Sequence, residues 1–261
     1  MDKLDKKIAI IGAGHMGKSL MKGLINSGFK KNNLFVSNKS KDNKNVVLKA
    51  DWIILAVKPS IISEVIQEIK DGVQNRLLIS VAAAVSISNI EKYVGNRNQK
   101  IMRIMPNIAV AHNQGVIGLI ANENATSTEK QEVISLFSGL GLVVDLKKEK
   151  DLDMITLISA CSPAIIAHFM EMFSEYGTTH GLSAKDSEKI VLQVFKGTVE
   201  YLEKSNLSSS QLKQSVATKG GVTEEIIKSL DNKKVSLNFT ESLDKGYQRI
   251  NKVIEEVKKN E

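Results

Sequence analysis

Cysteine is nearly absent from this chain of 261 residues. The single Cys161 excludes an intramolecular disulfide framework and a metal site built from several thiolates. Aromatic residues make up only 5% of the chain, too few for a surface that stacks nucleic-acid bases. The longest apolar run, residues 52–57, is far shorter than the about 20 residues of a membrane-spanning helix. We therefore expect a cytoplasmic protein that binds no metal, membrane or nucleic acid.

The net charge is +7, from 36 Lys and Arg against 29 Asp and Glu. The lysines are distributed along the whole chain, so this charge indicates a solvated surface rather than a patch for a polyanion. The first seven residues have mixed charges, unlike a secretory signal peptide. Hydrophobic residues make up 42% of the chain, which suffices for one large or two modest cores.

The first half of the chain alternates short apolar runs with helical patterns. Strands are predicted at residues 8–11, 34–36, 52–57, 77–81, 101–105, 115–120 and 142–144. Helices are predicted at residues 16–26, 61–70 and 128–138. Strands that are apolar on both faces and alternate with helices indicate a parallel sheet covered on both sides.

The strand pattern ends at about residue 150. Helices are predicted at residues 154–176, 183–204, 211–216, 223–230 and 236–259. The sequence therefore predicts an α/β fold in two parts. A Rossmann-like, doubly wound dinucleotide-binding domain spans residues 1–150, and an all-helical domain spans residues 151–261.

A glycine-rich turn follows the first strand directly and opens the first helix. It reads Gly12-Ala13-Gly14-His15-Met16-Gly17, which fits the G-x-G-x-x-G pattern in the context that the pattern requires. Gly12 permits the tight turn, Gly14 lets a pyrophosphate approach the backbone, and Gly17 lets the helix pack on the sheet. We therefore expect a dinucleotide cofactor at this turn.

The residues at the end of the second strand indicate which dinucleotide the chain binds. Enzymes that use NAD usually place Asp or Glu there, on the ribose 2′-hydroxyl. This chain has Ser37-Asn38-Lys39-Ser40-Lys41, whose hydroxyls, amide and cations suit a 2′-phosphate. NADP(H) is expected in preference to NAD(H), which such a site could also accept.

Four further segments, taken together, are specific for one protein family. Residues 50–59 read ADWIILAVKP, residues 103–107 RIMPN, residues 159–164 SACSPA, and residues 212–223 LKQSVATKGGVT. They resemble the motifs A-D-x-x-x-L-A-V-K-P, R-x-M-P-N, S-G-S-G-P-A and L-K-x-x-V-x-S-P-G-G-T-T of pyrroline-5-carboxylate reductases. The matches run in order from residue 8 to about 250. The chain departs from the family at Ala160 and Ser162, at Lys219, and at Ala84, which stands where the family usually has Gly. The segment between Val36 and Asp51 is also much shorter than usual, so a helix and a strand beside the adenosine pocket are expected to be missing.

This resemblance implies reduction of 1-pyrroline-5-carboxylate to L-proline with NAD(P)H. It implies a helical domain that exchanges helices in a homodimer, so that each active site lies at the dimer interface; the dimers could associate further. It also implies the cofactor contacts Gly12, Ala13, Gly14, His15, Met16, Ser37, Asn38, Lys39, Asn43, Ala56, Val57, Lys58, Pro59, Ala82 and Ala83.

The substrate is expected at the glycine pair of the last motif. By the resemblance, Thr218, Gly220, Gly221 and Thr223 hold the carboxylate of the imino acid. Thr223 is the expected catalytic residue, accepting a hydrogen bond from the ring nitrogen and stabilising the iminium. Two alternatives stay open because of the departures: a related NADP-dependent reductase of another small imine or oxo acid, and a non-catalytic dinucleotide-binding regulator.

Overall fold

The computed structural model describes residues 5–37 and 40–259. Seven strands form one sheet: β1 (Ile8–Ile11), β2 (Leu34–Ser37), β3 (Trp52–Leu55), β4 (Leu77–Ser80), β5 (Ile101–Pro106), β6 (Gly115–Ala121) and β7 (Gly141–Asp145). Helices of this part are α1 (His15–Asn26), α2 (Ser40–Leu48), α3 (Ile62–Ile69), α4 (Ile87–Val94), α5 (Ser127–Ser138) and α6 (Asp151–Ile155). All seven predicted strands are present.

The sheet has the order β2-β1-β3-β4-β5-β6-β7 and is not fully parallel. Strand β6 runs antiparallel to β5, whereas every other pair is parallel. The prediction of a parallel sheet was therefore wrong at this pair. The connection between the two strands, residues 107–114, is too short for a crossover, since a parallel pair requires about a dozen residues or more.

Two short helices were not predicted from the sequence, and α2 lies between Val36 and Asp51, where a helix was expected to be missing. Helix α2 is largely polar, and its Val47 is fully buried against the sheet. Helix α4 is set by its ends. Ser86 accepts a hydrogen bond from the backbone of Asn89 in a capping box, and Gly95 ends the helix in the left-handed region. Caps of this kind define a helix whose apolar periodicity is too short to detect.

The core lies on both faces of the sheet. On one face Ile10 and Ile54 pack with Leu20 and Leu24 of α1 and with Phe137 of α5. On the other face the side chains of α3 and α4 cover β3 and β4, joined by Val257 near the end of the chain. Because both faces are covered, the strand ends are what the sheet leaves available for binding.

Helices make up the rest of the chain. A short π-helical turn, Thr156–Ala160, leads to α7 (Ser162–Thr179), α8 (Ala184–Ser205), α9 (Ser209–Val216), α10 (Val222–Asn232) and α11 (Val235–Lys259). The chain forms two compact units, one reaching Pro163 and including the chain from Tyr247 onwards, the other spanning Ala164–Gly246. The predicted boundary at residue 150, between the dinucleotide-binding domain and the helical domain, stays a prediction.

The helical unit has its own packing. Phe173 of α7 meets Phe195 of α8 edge to face at 6.1 Å, and Phe169 meets Phe239 of α11 at 5.9 Å. Many of its apolar side chains are nevertheless exposed in the single chain.

By length and composition, the stretch Asp151–Thr179 could also cross a membrane. Of the residues in its most apolar 18-residue segment, 22% are buried.

Candidate functional site

The predicted cofactor residues of the first unit gather at the carboxyl edge of the sheet. Strands β1 and β3 are neighbours, while the intervening β2 lies on the other side of β1. This reversal of strand order is the point at which open α/β sheets bind ligands. Ile11 and Leu55 end the two strands in register, and the Ala56 amide donates to the Ile11 carbonyl at 2.7 Å. Gly12 and Ala56 thus stand side by side at this edge.

The three glycines of the turn have different structural reasons. Gly12 has a φ of +101°, and a Cβ there would overlap the Ala56 carbonyl oxygen. A Cβ at Gly17 would overlap the Gly12 carbonyl oxygen, so α1 could not pack so close to the turn. A Cβ at Gly14 would meet no protein atom within 4 Å. No steric contact among the described residues therefore requires a glycine at position 14, where Gly is a favoured N-cap and leaves room for a pyrophosphate.

The first turn of α1 fits an anion. Its N-cap is Gly14, which has no side chain to satisfy the free N–H groups, and the turn contains no acidic residue. His15 is exposed, and Met16 is partly buried against the core. Unpaired N–H groups and the positive end of the helix dipole suit the diphosphate of a dinucleotide.

The end of β2 forms a buried polar link. The Gly12 amide donates to the Ser37 carbonyl at 2.9 Å, and the Ser37 hydroxyl donates to Asn43 Oδ1 at 2.7 Å. The Asn43 amide in turn donates to Glu68 Oε2 at 2.9 Å. Asn43 is buried and joins β2 to α3, which the sequence did not indicate. The predicted residues Asn38 and Lys39 lie outside the described residues.

Loops after β3 and β4 supply the remaining predicted cofactor residues. Ala56 and Val57 are partly buried, Lys58 is exposed, and Pro59 begins a short 3₁₀ turn. After β4, Ala82 is buried with Ala83 beside it. Since β1, β3 and β4 are consecutive parallel neighbours, these loops share one edge with the glycine turn.

The next residue, Ala84, is one of the departures from the family pattern. Ala84 has a φ of +62°, a region that favours glycine. It is held in this conformation without the glycine that the family usually has there. The backbone N–H of Ala82 donates to Ser80 Oγ at 3.2 Å, and its carbonyl accepts from Arg103 Nη2 at 3.3 Å.

Arg103 belongs to the RIMPN motif, but sequence reasoning predicted neither its burial nor its partner. It is 4% exposed and pairs with Glu149 at 2.6 Å, and Glu149 also accepts from the Ile87 amide at 2.7 Å. The sequence did contain a signal, since a lone cation interrupts the apolar strand Ile101–Pro106. Its partner is 46 residues away, and no pattern connects the two. Burial raises the pKa of the nearby Asp153 carboxyl, opposed by the positive charge of Arg103.

The predicted substrate residues lie together in the second unit. Gly220 has a φ of +75°, and Gly221 is the N-cap of α10, which places Thr223 in the first turn of that helix. The Gly221 amide donates to the Thr218 carbonyl at 2.9 Å. These contacts fold residues 218–223 into a compact turn with backbone N–H groups at a helix N-terminus.

A carboxylate of the protein itself occupies this turn. Glu224 Oε2 accepts from the Gly220 amide at 2.7 Å, and this hydrogen bond holds the pKa of Glu224 below its usual range. Lys228 lies 3.4 Å from the same carboxylate. Sequence reasoning missed Glu224. Its position shows that the Gly220 amide can donate a hydrogen bond to a carboxylate oxygen.

Among the described residues, no group of three or more His, Cys, Asp or Glu side chains could hold a metal ion.

The structure brings the predicted cofactor residues that it describes together in the first unit. It brings the four predicted substrate residues together in the second. The contacts of these residues with ligands stay predictions.

Two parts of the chain match models of protein families. Residues 149–253 match the pyrroline-5-carboxylate reductase dimerisation domain, and residues 7–84 match a domain described as NADP oxidoreductase, coenzyme F420-dependent. The chain is also 28% identical over 262 residues to pyrroline-5-carboxylate reductase of Staphylococcus epidermidis. That alignment covers 93% of this chain and 96% of the relative.

Solved structures extend the match to the whole fold. Pyrroline carboxylate reductase of Plasmodium falciparum, solved with NADP bound, is 32% identical, with a TM-score of 0.89 and coverage of 96% of this chain and 98% of that one. Pyrroline-5-carboxylate reductase of Coxiella burnetii is 31% identical, with a TM-score of 0.86 and coverage of 95% and 98%. Identity and coverage at this level extend through both units, and the chain belongs to the pyrroline-5-carboxylate reductase family.

Proposed function

We propose that this chain reduces 1-pyrroline-5-carboxylate to L-proline with NADPH as the hydride donor. One observation carries the proposal: a dinucleotide-binding glycine turn, open at Gly14, stands at the strand-order reversal of a chain that aligns over 96% of its length with a reductase solved with NADP bound. When bound, NADPH supplies a hydride to the imine carbon while the ring nitrogen carries a proton from solvent, which gives proline and NADP⁺.

The residues at the sheet edge bind and orient the cofactor in this proposal. The first turn of α1 accepts the diphosphate, and Ser37, Asn38 and Lys39 accept the adenosine ribose with its 2′-phosphate. Ala56 to Pro59, with Ala82 and Ala83, flank the nicotinamide and its ribose. A protonated cyclic imine is already an electrophile, so alignment is the main contribution that the protein has to make.

The turn at residues 218–223 binds the substrate. The amides of Gly220 and Gly221, with the hydroxyls of Thr218 and Thr223, hold the carboxylate of the imino acid. The hydroxyl of Thr223 accepts a hydrogen bond from the protonated ring nitrogen and so stabilises the iminium. The Glu224 carboxylate bound to Gly220 supports this assignment, because the turn already holds a carboxylate.

The enzyme acts as a cytoplasmic homodimer in this proposal, and the dimers could associate further. The family segment named for dimerisation covers residues 149–253, which include all of Asp151–Thr179. The exposed apolar side chains of that stretch therefore suit contact with a second subunit. Exchange of helices in the dimer gives each cofactor a substrate-binding turn.

One assay tests the function against its alternatives. NADPH oxidation is followed with pyrroline-5-carboxylate, with other small imines, with oxo acids and without substrate. Turnover of pyrroline-5-carboxylate with formation of proline supports the proposal. Turnover of another compound alone indicates a related reductase, and cofactor binding without turnover indicates a regulator.

The role of Thr223 has its own test. Thr223→Ala removes the hydroxyl, and we expect kcat to fall about 10- to 150-fold, because a hydrogen bond to a charged group is worth about 1.5–3 kcal/mol. Thr223→Ser keeps the hydroxyl and retains most of the activity. Equal kcat values in Thr223→Ala and the unaltered enzyme remove the catalytic assignment of Thr223.

A further inference from the structure

We propose that Arg103 and Glu149 are positioning residues for hydride transfer, which act by holding the loop of residues 82–86 that follows β4. The inference rests on the proposed function, because that loop contains Ala82 and Ala83, assigned above to the nicotinamide. Neither Arg103 nor Glu149 belongs to the residues assigned to cofactor or substrate. Both belong to the first compact unit, so the network is complete within one chain.

Hydrogen bonds secure the loop at both ends. At its start, the Arg103 Nη2 group donates to the Ala82 carbonyl at 3.3 Å, while Ser80 Oγ accepts from the Ala82 amide at 3.2 Å. Just beyond its end, Glu149 Oε1 accepts from the amide of Ile87, the first residue of α4, at 2.7 Å. The Arg103–Glu149 ion pair, at 2.6 Å, connects these two anchors.

Burial and two acceptors restrict the Arg103 guanidinium. The Arg103 side chain is 5% exposed, and its guanidinium reaches the Ala82 carbonyl and the Glu149 carboxylate with different nitrogens. A planar guanidinium holds two acceptors in fixed directions, which an ammonium cannot do. The loop end is fixed further by the capping box in which Ser86 and Asn89 exchange hydrogen bonds.

The loop between the anchors is under strain. Five non-glycine residues among those described have a positive φ, and three of them are Asn, which tolerates this region. Ala84 is one of the other two and is almost fully buried. A strained residue persists only where its surroundings impose the conformation, and such residues concentrate at functional sites. The two anchors, at residues 82 and 87, bracket Ala84 and supply that constraint.

The chain offers a matched control for this ion pair. Glu129 pairs with Lys100 at 2.7 Å and also accepts from the Thr126 amide, at the start of α5, at 3.0 Å. Glu129 therefore combines a cation and a helix N-terminal amide, as Glu149 does, in the same unit. It contacts no predicted cofactor residue. Replacing either Glu by Gln removes one charge from a similar arrangement.

The experiment measures hydride transfer in single turnovers, by stopped-flow decay of NADPH absorbance at saturating imine. In Glu149→Gln and Arg103→Lys we expect the transfer rate to fall at least about tenfold, because small displacements of reacting groups have large effects on rate. The KM values for NADPH and imine change less than about threefold, since the binding groups themselves remain. Glu129→Gln retains the unaltered rate. Glu149→Asp, which keeps the charge but is shorter, replaces Glu149→Gln if that variant does not fold.

A second readout needs neither cofactor nor substrate. Hydrogen exchange of the amides at residues 83–87 is measured in the cofactor-free protein, and we expect it to accelerate in Glu149→Gln but not in Glu129→Gln. Unaltered transfer rates in folded Glu149 and Arg103 variants overturn the proposal, as does unaltered exchange. If the unaltered enzyme does not reduce the imine at all, the proposed function fails, and exchange alone then decides whether the ion pair holds the loop.

Discussion

Gly14 and Gly17 stand three residues apart in one turn, yet the structure gives each a different reason to be glycine. A methyl group at Gly17 overlaps the Gly12 carbonyl, while a methyl group at Gly14 points into open space. We expect Gly14→Ala to change the free energy of unfolding by less than about 1 kcal/mol, the typical range for N-cap changes between Gly and Ala. Its Kd for NADPH rises at least about tenfold, because the methyl group occupies the approach of the diphosphate.

Gly17→Ala is the matched variant for that prediction. We expect it to lower the free energy of unfolding by about 1–3 kcal/mol, the usual cost of overpacking. Urea unfolding without ligand and fluorescence titration with NADPH separate the two effects. Equal stability losses in both variants, or unaltered NADPH affinity in Gly14→Ala, contradict the assignment of the turn to a pyrophosphate.

Glu224 is expected to compete with the substrate for the turn at residues 218–223. Its carboxylate occupies the Gly220 amide that the proposal assigns to the substrate carboxylate. A substrate must displace it, and two carboxylates at one amide repel each other. We expect Glu224→Ala to lower the KM for the imino acid about three- to tenfold, as removal of a competing charged hydrogen bond would give. Steady-state kinetics at fixed, saturating NADPH measures the change.

Glu225 provides the control for Glu224. It lies in the same turn, carries the same charge and contacts Lys228 at 3.2 Å, but it makes no hydrogen bond to Gly220 in the structure. Glu225→Ala leaves KM within about twofold, because rim charges contribute little. An increase of KM in Glu224→Ala counts against displacement, since it shows that Glu224 shapes the turn for the substrate.

At the scale of elements, the beginning of α6 makes stability depend on pH. Burial raises the pKa of the Asp153 carboxyl above its usual value of 3.8, despite the opposing charge of Arg103. The folded state therefore binds the proton more tightly than the unfolded state, so ionisation of Asp153 destabilises the fold as pH rises. We expect Asp153→Asn to raise the free energy of unfolding at pH 7, and this gain to vanish below pH 3.8.

Urea unfolding across a series of pH values measures that gain. Asp151→Asn is the control, because it removes the same charge from the same helix two residues away. A stability difference between Asp153→Asn and the unaltered protein that is constant from pH 3 to 8 contradicts the assignment, since it excludes a difference in pKa between the folded and unfolded states.

Secondary structure was predictable where local pattern determines it. The strands are short apolar runs, buried in the middle of the sheet and partly exposed at its two edges, and all seven were predicted. Helices α2 and α4 were missed because capping and a few buried contacts stabilise them, and these contacts come from other elements. The antiparallel direction of β6 follows from the length of one connection, and the predicted strand bounds already left too few residues there for a crossover.

At the scale of the whole molecule, the candidate site was predictable only in its local parts. The glycine turn was found from its spacing because all its residues are consecutive. The ion pair of Arg103 and Glu149 joins residues 46 positions apart, so that only folding brings them together. Asn43 was expected to contact the cofactor, but its buried amide also joins Ser37 to Glu68, which no local pattern indicates.

The exposed face of α8 tests where two subunits associate. Leu192, in α8 within the matched dimerisation segment, is 60% exposed in the single chain, and Leu48, at the end of α2 outside that segment, is 62% exposed. If α8 packs against a second subunit, Leu192→Asp buries an unpaired carboxylate, which costs several kcal/mol. We expect the dissociation constant of the dimer, measured by analytical ultracentrifugation, to rise at least about tenfold. Leu48→Asp makes the same change at equal exposure and leaves the dimer intact. Equal dissociation constants for the two variants place the interface away from α8.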